Sequence, residues 1–350
     1  MSYLNLPLDE LEESHSGIPG LKQILNKINN KDTFILFNVF LQNYPIIDFP
    51  SNRELYVLLY THELFVQDDF LRIYRENVNS QFIILGDFYF NDLANLDRVK
   101  CIRLCTWNII TKNIKVSPVD WKNKTIRISS LSNYVTQYRY FITCLLQDKT
   151  DCLLSWHNKK RTRGTDRHIN VKTGHPLKDS LVDTLEVNKN DETFFNDYLL
   201  DADIIEDSKN IPAYKNSLIN CTNETTDVSR GDVIGRLPIP YITEKTWKPL
   251  CYGNALIFSG HPGTRQRLEE AGFIFDYPWD NSYDDVIGDL DRLEHLLHVV
   301  QNICSMDFDF ILHSIKESCE YNIQHVKSQS LVQHINSIND KGLEMLENII

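Results

Sequence analysis

Short apolar runs recur at intervals through the first hundred positions of this chain. Thr33 to Phe40, Leu55 to Tyr60, Gln81 to Leu85 and Val99 to Leu104 are each rich in Ile, Leu, Val, Phe or Tyr. Continuous runs of that length and composition predict strands buried on both faces. Between the second and third, Asp68 to Asn77 has helical spacing with acidic residues at its start, the charge that favours a helix N-terminus. Strand, loop or helix, strand is the order of a mostly parallel sheet covered on both sides. A helix over Tyr134 to Leu146 then leads into a second domain that opens with a strand at Cys152 to Trp156. Residues 178 to 235 are polar and acidic; they predict a helix over Thr193 to Leu200, a strand at Leu218 to Cys221, and surface loops. From Phe308 onward, apolar positions recur at three- and four-residue spacing, which predicts helices to the end of the chain.

The stretch from Tyr241 to Asp285 is the most ordered in its signals. Thr243 is suited to cap a helix over Glu244 to Tyr252, and Gly253 to end it in the left-handed conformation. Ala255 to Ser259 reads as a buried strand. Gly260, Pro262 and Gly263 form a turn, Thr264 is expected to cap a second helix, and Gly272 to stop it. Helix, strand, turn, helix is half of a nucleotide-binding α/β domain. The first helix would bring a positive dipole end beside Lys245, an arrangement that suits a phosphate.

Tyr241-Ile242-Thr243-Glu244-Lys245 resembles the TEK motif of α1,3-fucosyltransferases. The longer run is more similar to small phage and bacterial glycosyltransferases with a TEKTWKP motif. In this chain the matching positions are Thr243 to Pro249, then Gly260 with Pro262 and Gly263, Gly272 with Phe273, and Asn281 to Asp285. The resemblance covers about 45 residues, with a looser likeness over Asn216 to Thr225. It implies a GT-B architecture: two Rossmann-like α/β domains, with a C-terminal helical segment crossing back to the first. On that basis we expect an acceptor-side domain over residues 1–140 and a sugar-nucleotide-binding domain over 141–307. Helices over 308–350 would pack across both.

Composition limits the alternatives. The chain of 350 residues is 42% hydrophobic and 24% charged, the values of an ordinary globular protein. No apolar run reaches the length of a bilayer span, and the acidic start MSYLNLPLDELEES lacks the basic region of a signal peptide, so no membrane partner and a cytoplasmic location are expected. Eukaryotic fucosyltransferases differ here, being membrane-anchored. The eight cysteines include no CxxC pair, which fits buried free thiols in a reducing compartment. A net charge of −12 argues against non-specific coating of nucleic acid. It leaves room for a local basic groove, for which Lys159, Lys160, Arg161, Arg163 and Arg167 are the candidates. They follow the strand at Cys152 to Trp156, and ligands in open α/β sheets bind beyond the C-terminal ends of strands.

Glycosyl transfer needs a donor pocket, positive charge to meet the departing diphosphate, and a base for the acceptor hydroxyl. Thr243, Glu244, Lys245, Gly260, Arg161, Arg163 and Arg167 are the expected donor-binding residues, and Lys159 and Lys160 the acceptor-side ones. Glu63 and Asp87, each directly after an N-terminal strand, are the candidate bases; His62 is a weaker third. No metal or other cofactor is expected. Three DxD pairs occur, at Asp201/Asp203, Asp289/Asp291 and Asp307/Asp309, about as many as chance gives so acidic a chain. The expected co-substrate is a UDP- or GDP-sugar. The acceptor implied by the resemblance to phage enzymes is a hydroxylated or hydroxymethylated pyrimidine in double-stranded DNA. Two alternatives stay open: a fucosyltransferase-like enzyme acting on a surface glycan, and a non-catalytic nucleotide- or glycan-binding module.

Overall fold

A computed structural model describes residues 18–28, 32–38, 53–60, 67–87, 96–107, 116, 118–132, 142–143, 145–146, 149–156, 211–222, 240, 242–286 and 289–349. By contact, the chain divides into two units. The first joins residues 1–112 and 236–241 to 329–350, and the second joins 113–235 to 242–328.

The first unit contains a four-stranded parallel sheet of β1 (Thr33–Asn38), β2 (Leu55–Tyr60), β3 (Gln81–Gly86) and β4 (Val99–Arg103), in that spatial order. Period-two alternation sends Val57, Ile83, Leu85 and Ile102 to one face. There they meet α1 (Leu21–Ile28) through Leu21, Ile24, Leu25 and Ile28, and Leu346 of a C-terminal helix. The other face carries Tyr56 and Phe82, stacked at 5.0 Å. Phe70 of α2 (Gln67–Glu76) meets Phe82 edge-on at 5.4 Å. Both faces are therefore covered, as the unbroken apolar runs of the strands require.

The second unit contains another four-stranded parallel sheet, ordered β6 (Cys152–Trp156), β5 (Ile126–Ser132), β7 (Ser217–Thr222), β8 (Ala255–Phe258). Strand β5 has no counterpart among the predicted strands. Ile126-Arg-Ile-Ser-Ser-Leu-Ser interleaves polar residues with apolar ones, so no apolar run marks it. It pairs with β6 and β7, whereas the expected boundary at residue 140 would leave it in the first domain. Ser129 and Ser130 are buried, and Ser129 Oγ lies 2.9 Å from Ser217 Oγ and accepts from Asn220 Nδ2 at 2.9 Å. The short α3 (Ile211–Asn216) precedes β7. Helix α4 (Glu244–Cys251) connects toward β8, α5 (Thr264–Glu270) follows it, and α6 (Asp289–Ser305) and α7 (Phe308–Val326) complete this unit. The last helix, α8 (Gln329–Ile349), belongs to the first unit.

Two bonds fix α8 on the first sheet: Asn339 Oδ1 accepts from the Cys105 amide at 2.7 Å and Asn339 Nδ2 donates to the Cys105 carbonyl at 3.1 Å. Gly342 of α8 faces the Arg103 carbonyl and the Leu104 side chain, so closely that a Cβ would overlap them. In the second unit, α7 clamps the segment that follows α5. Asn322 bonds both the amide and the carbonyl of Ile274, and His325 Nε2 donates to the Ala271 carbonyl at 2.7 Å. The helix predicted over 193–200 lies outside the described residues, as does most of the one predicted over 134–146.

Candidate functional site

Helix α4 begins as its sequence predicts. Thr243 is extended, and its hydroxyl accepts from the Lys245 amide at 3.3 Å. Its carbonyl takes the first helical bonds, from Thr246 at 3.1 Å and Trp247 at 3.4 Å. At the far end Gly253 adopts φ +66°, and the space where its Cβ would be is filled by Val119. Apolar anchoring is heavy: Trp247 is fully buried and meets Phe273 edge-on at 5.6 Å. Helix α4 ends three residues before β8 begins, and it packs against both β7 and β8. Lys245 is half-buried on the first turn of the helix.

Hydroxyls stitch the ends of β7 and β8. Thr222, last in β7, donates to the Ile257 carbonyl at 3.0 Å, and Ser259, just after β8, donates to the Thr222 carbonyl at 2.9 Å. The turn that follows, Gly260-His261-Pro262-Gly263, is held from beneath by a buried ion pair. Arg292 Nη2 and Asp284 Oδ1 stand 2.9 Å apart with neither side chain exposed. The same guanidinium donates to the carbonyls of Gly260 at 2.7 Å and Phe258 at 3.0 Å. Asp284 in turn accepts from the Arg265 amide through Oδ2 at 2.7 Å, and its carbonyl from the Gly263 amide at 2.7 Å. One carboxylate and one guanidinium thus fix both legs of the turn. Burial pushes the Asp284 carboxyl above its ordinary value, while Arg292 and the Arg265 amide act against that rise. Tyr283 accepts from the Phe258 amide at 2.8 Å, and burial followed by Asp284 pushes its phenol well up.

Thr264 departs from its expected role. Gly263, at φ +77°, occupies the cap position of α5 and provides no side-chain bond. Thr264 is the first helical residue, and its hydroxyl donates backward to the His261 carbonyl at 2.6 Å. A glycine is needed there because the chain turns through the left-handed region to enter the helix.

Thr243 and Lys245 stand at the start of α4, with the backbone of Glu244 between them, and Gly260 opens the turn just after β8. Arg161, Arg163, Arg167, Lys159, Lys160 and Glu63 lie outside the described residues, as does the side chain of Glu244. Asp87 is described in the first unit, directly after β3. It is only 3% exposed and lies 3.7 Å from Arg103 Nε. Sequence reasoning missed Arg292. Its signal was present, since an arginine at the position of Leu296, Val300 and Ile303 on the buried stripe of α6 needs a partner. Nothing in the sequence separates Asp284 from Asp285, of which only the first is buried.

Of the DxD pairs, Asp307 caps α7 by accepting from the Phe310 amide at 2.9 Å, and Asp201/Asp203 lie outside the described residues. Among the described residues no cluster of His, Cys, Asp and Glu is arranged to hold a metal ion, and no helix is long and apolar enough to cross a membrane. No family model matches the chain, no curated protein matches it, and no solved structure matches it. The α/β class with parallel sheets is established by strand order and register alone.

Proposed function

We propose that this protein is a glycosyltransferase of GT-B type, with two Rossmann-like domains, that moves a sugar from a nucleotide-sugar donor to a hydroxyl. The observation that carries the reading is the Thr243-capped start of α4, with Lys245 on its first turn. A helix N-terminus with a lysine suits a diphosphate, and the Gly260–Gly263 turn follows a strand end, the region where open parallel sheets bind ligands. The ordered match from Thr243 to Asp285 supports the same assignment.

In this reading Lys245 and one or more of Arg161, Arg163 and Arg167 meet the charge that develops on the leaving diphosphate. Preorganised charge of that kind acts without a metal ion. Glu244 binds a ribose or sugar hydroxyl, and Glu63 or Asp87 supplies the base. For Asp87 to serve, its contact with Arg103 has to loosen so that the carboxylate reaches the acceptor. The acceptor we propose is a hydroxymethylated pyrimidine in double-stranded DNA. Its support is the resemblance to phage enzymes, together with the basic residues Lys159 and Lys160 in an otherwise acidic chain. An enzyme acting on a base has to take it out of the stack and hold the backbone through local positive charge.

Incubation with a panel of UDP- and GDP-sugars, against hydroxymethylated DNA and against a glycan panel, tests both parts. Transfer to modified DNA supports the full reading. Transfer to glycans alone removes the DNA acceptor and keeps the transferase. Failure to turn over any nucleotide sugar, with or without acceptor, removes the enzyme.

A further inference from the structure

Strand β8 stands last in the strand order of the second sheet among the described residues. A strand in that position turns one row of N–H and C=O groups outward, which is a template for another extended chain. Along a strand the N–H and C=O of one residue point to the same side, and successive residues alternate sides. Ile257 faces inward, since its carbonyl accepts from the Thr222 hydroxyl of β7 at 3.0 Å. Leu256 and Phe258 therefore face outward, and side chains meet them there. The Leu256 amide donates to the Tyr277 hydroxyl at 3.3 Å and the Phe258 amide to the Tyr283 hydroxyl at 2.8 Å. The Phe258 carbonyl accepts from Arg292 Nη2 at 3.0 Å. Residues 275–283, which carry the two tyrosines, form no strand of their own. The Tyr277 amide turns back onto the Phe275 carbonyl at 3.0 Å, while the Phe275 ring meets Phe258 edge-on at 5.3 Å.

We propose that Tyr277, Tyr283 and Arg292 act as a side-chain substitute for a fifth strand, closing the β8 edge against pairing with an extended segment of a second copy of this chain. A real fifth strand would satisfy the same groups but would offer a new open row on its far side. Phenol rings and a guanidinium end the ladder, because none of them presents a further row of backbone groups.

The hydroxyls matter to this closure as much as the rings. A phenyl ring in either place would leave a buried amide without an acceptor, and relief of that cost favours opening of the edge. Ala255-Leu256-Ile257-Phe258 is apolar and uncharged, so nothing in the strand itself repels an incoming chain. The segment that bears the tyrosines is held from two sides. Asn322 of α7 bonds the amide and the carbonyl of Ile274 before it, and Asp284, directly after Tyr283, is paired with Arg292. Arg292 thus joins the capped edge to the support of the turn beyond it.

Amide hydrogen exchange on the full chain, followed residue by residue, tests this, with the Ile257 amide on the β7 side as the internal reference. In the wild-type chain Leu256 and Phe258 should exchange as slowly as Ile257, although β8 is the last strand. Tyr283→Phe should speed the Phe258 amide relative to Ile257 by on the order of tenfold or more, and Tyr277→Phe should do the same to Leu256. In the double variant both freed amides should slow again as protein concentration rises, with the mass from light scattering rising in step, because a second copy then supplies the acceptors. Fast exchange of Leu256 and Phe258 in the wild-type chain overturns the proposal. So does a double variant whose freed amides stay fast at high concentration, whether or not it aggregates. The wild-type measurement can overturn the proposal even if a variant folds poorly, and every outcome is independent of the glycosyltransferase reading.

Discussion

Asp284 and Arg292 form an ion pair at 2.9 Å in which neither side chain is exposed, and between them they bond both ends of the turn that follows β8. Removing one member leaves the other as an uncompensated buried charge, which typically costs about 3–5 kcal/mol. Arg292→Ala should lower the stability of the second unit by that order. Arg292→Lys should recover only part of it, because an ammonium cannot reach Asp284, Gly260 and Phe258 as the planar fork does. Urea unfolding of the three proteins checks this. Equal stability of wild type and Arg292→Ala would show that the pair contributes nothing.

Lys124 gives a pH dependence. It is 2% exposed, and its Nζ donates to the carbonyls of Ser217 at 2.6 Å, Tyr252 at 3.2 Å and Tyr214 at 3.4 Å. Burial lowers its pKa from 10.5 to about 8. Between those values the unfolded chain holds the proton more often than the folded one, so raising the pH favours folding there. The penalty of burying the charge is fully present below about pH 8 and relieved by pH 10.5. Its size is on the order of 3 kcal/mol. The stability of wild type minus that of Lys124→Met should therefore climb across this window. A flat difference would contradict the burial of a charged amine.

Gly342 inverts a usual rule. Glycine to alanine inside a helix ordinarily stabilises by about 1 kcal/mol. In α8 the added Cβ would overlap the Arg103 carbonyl and approach Leu104 Cδ2 to 2.7 Å. Gly342→Ala should therefore destabilise, and Gly272→Ala should as well, since Gly272 has φ +96° and its Cβ would lie 2.9 Å from His325. Thermal melts that rise for either variant would refute the close approach.

The two ends of the Thr243–Lys245 pair should respond differently. Thr243→Ala removes a helix cap and should lower stability by about 1 kcal/mol. Lys245→Ala should leave the unfolding midpoint near that of wild type while turnover at saturating donor falls by on the order of 10²-fold or more. An unchanged turnover number would reduce Lys245 to a surface residue. Arg161, Arg163 and Arg167 should divide unequally in the same assay.

The proposed chemistry predicts turnover that survives EDTA. Activity abolished by chelation and restored by Mn²⁺ would replace the cationic mechanism with a metal-dependent one.

Wherever apolar residues ran together, the elements were legible. Leu55–Tyr60 and Cys152–Trp156 coincide with β2 and β6, and Thr243, Gly253 and Gly272 terminate helices as their backbone preferences dictate. Strand β5 escaped because Ser129 and Ser130 interrupt its pattern, and only a tertiary partner such as Asn220 explains a serine there. The candidate site divides along the same line. A local cap such as Thr243 is written in neighbouring residues, whereas the support of the turn by Arg292 depends on a residue 32 positions from Gly260. Thr264 was misread because a threonine before a helix and one inside its first turn look alike in sequence.

The placement of α8 has a consequence for synthesis. Residues 329–350 cover the first sheet, yet they leave the ribosome after every residue of the second unit. Until Asn339 reaches Cys105, the face of Val57, Ile83 and Ile102 lacks part of its cover, although all four strands beneath it have long been translated. The first sheet is thus translated before the second unit yet gains the helical cover of α8 only after it, and in the interval part of its apolar face stays open.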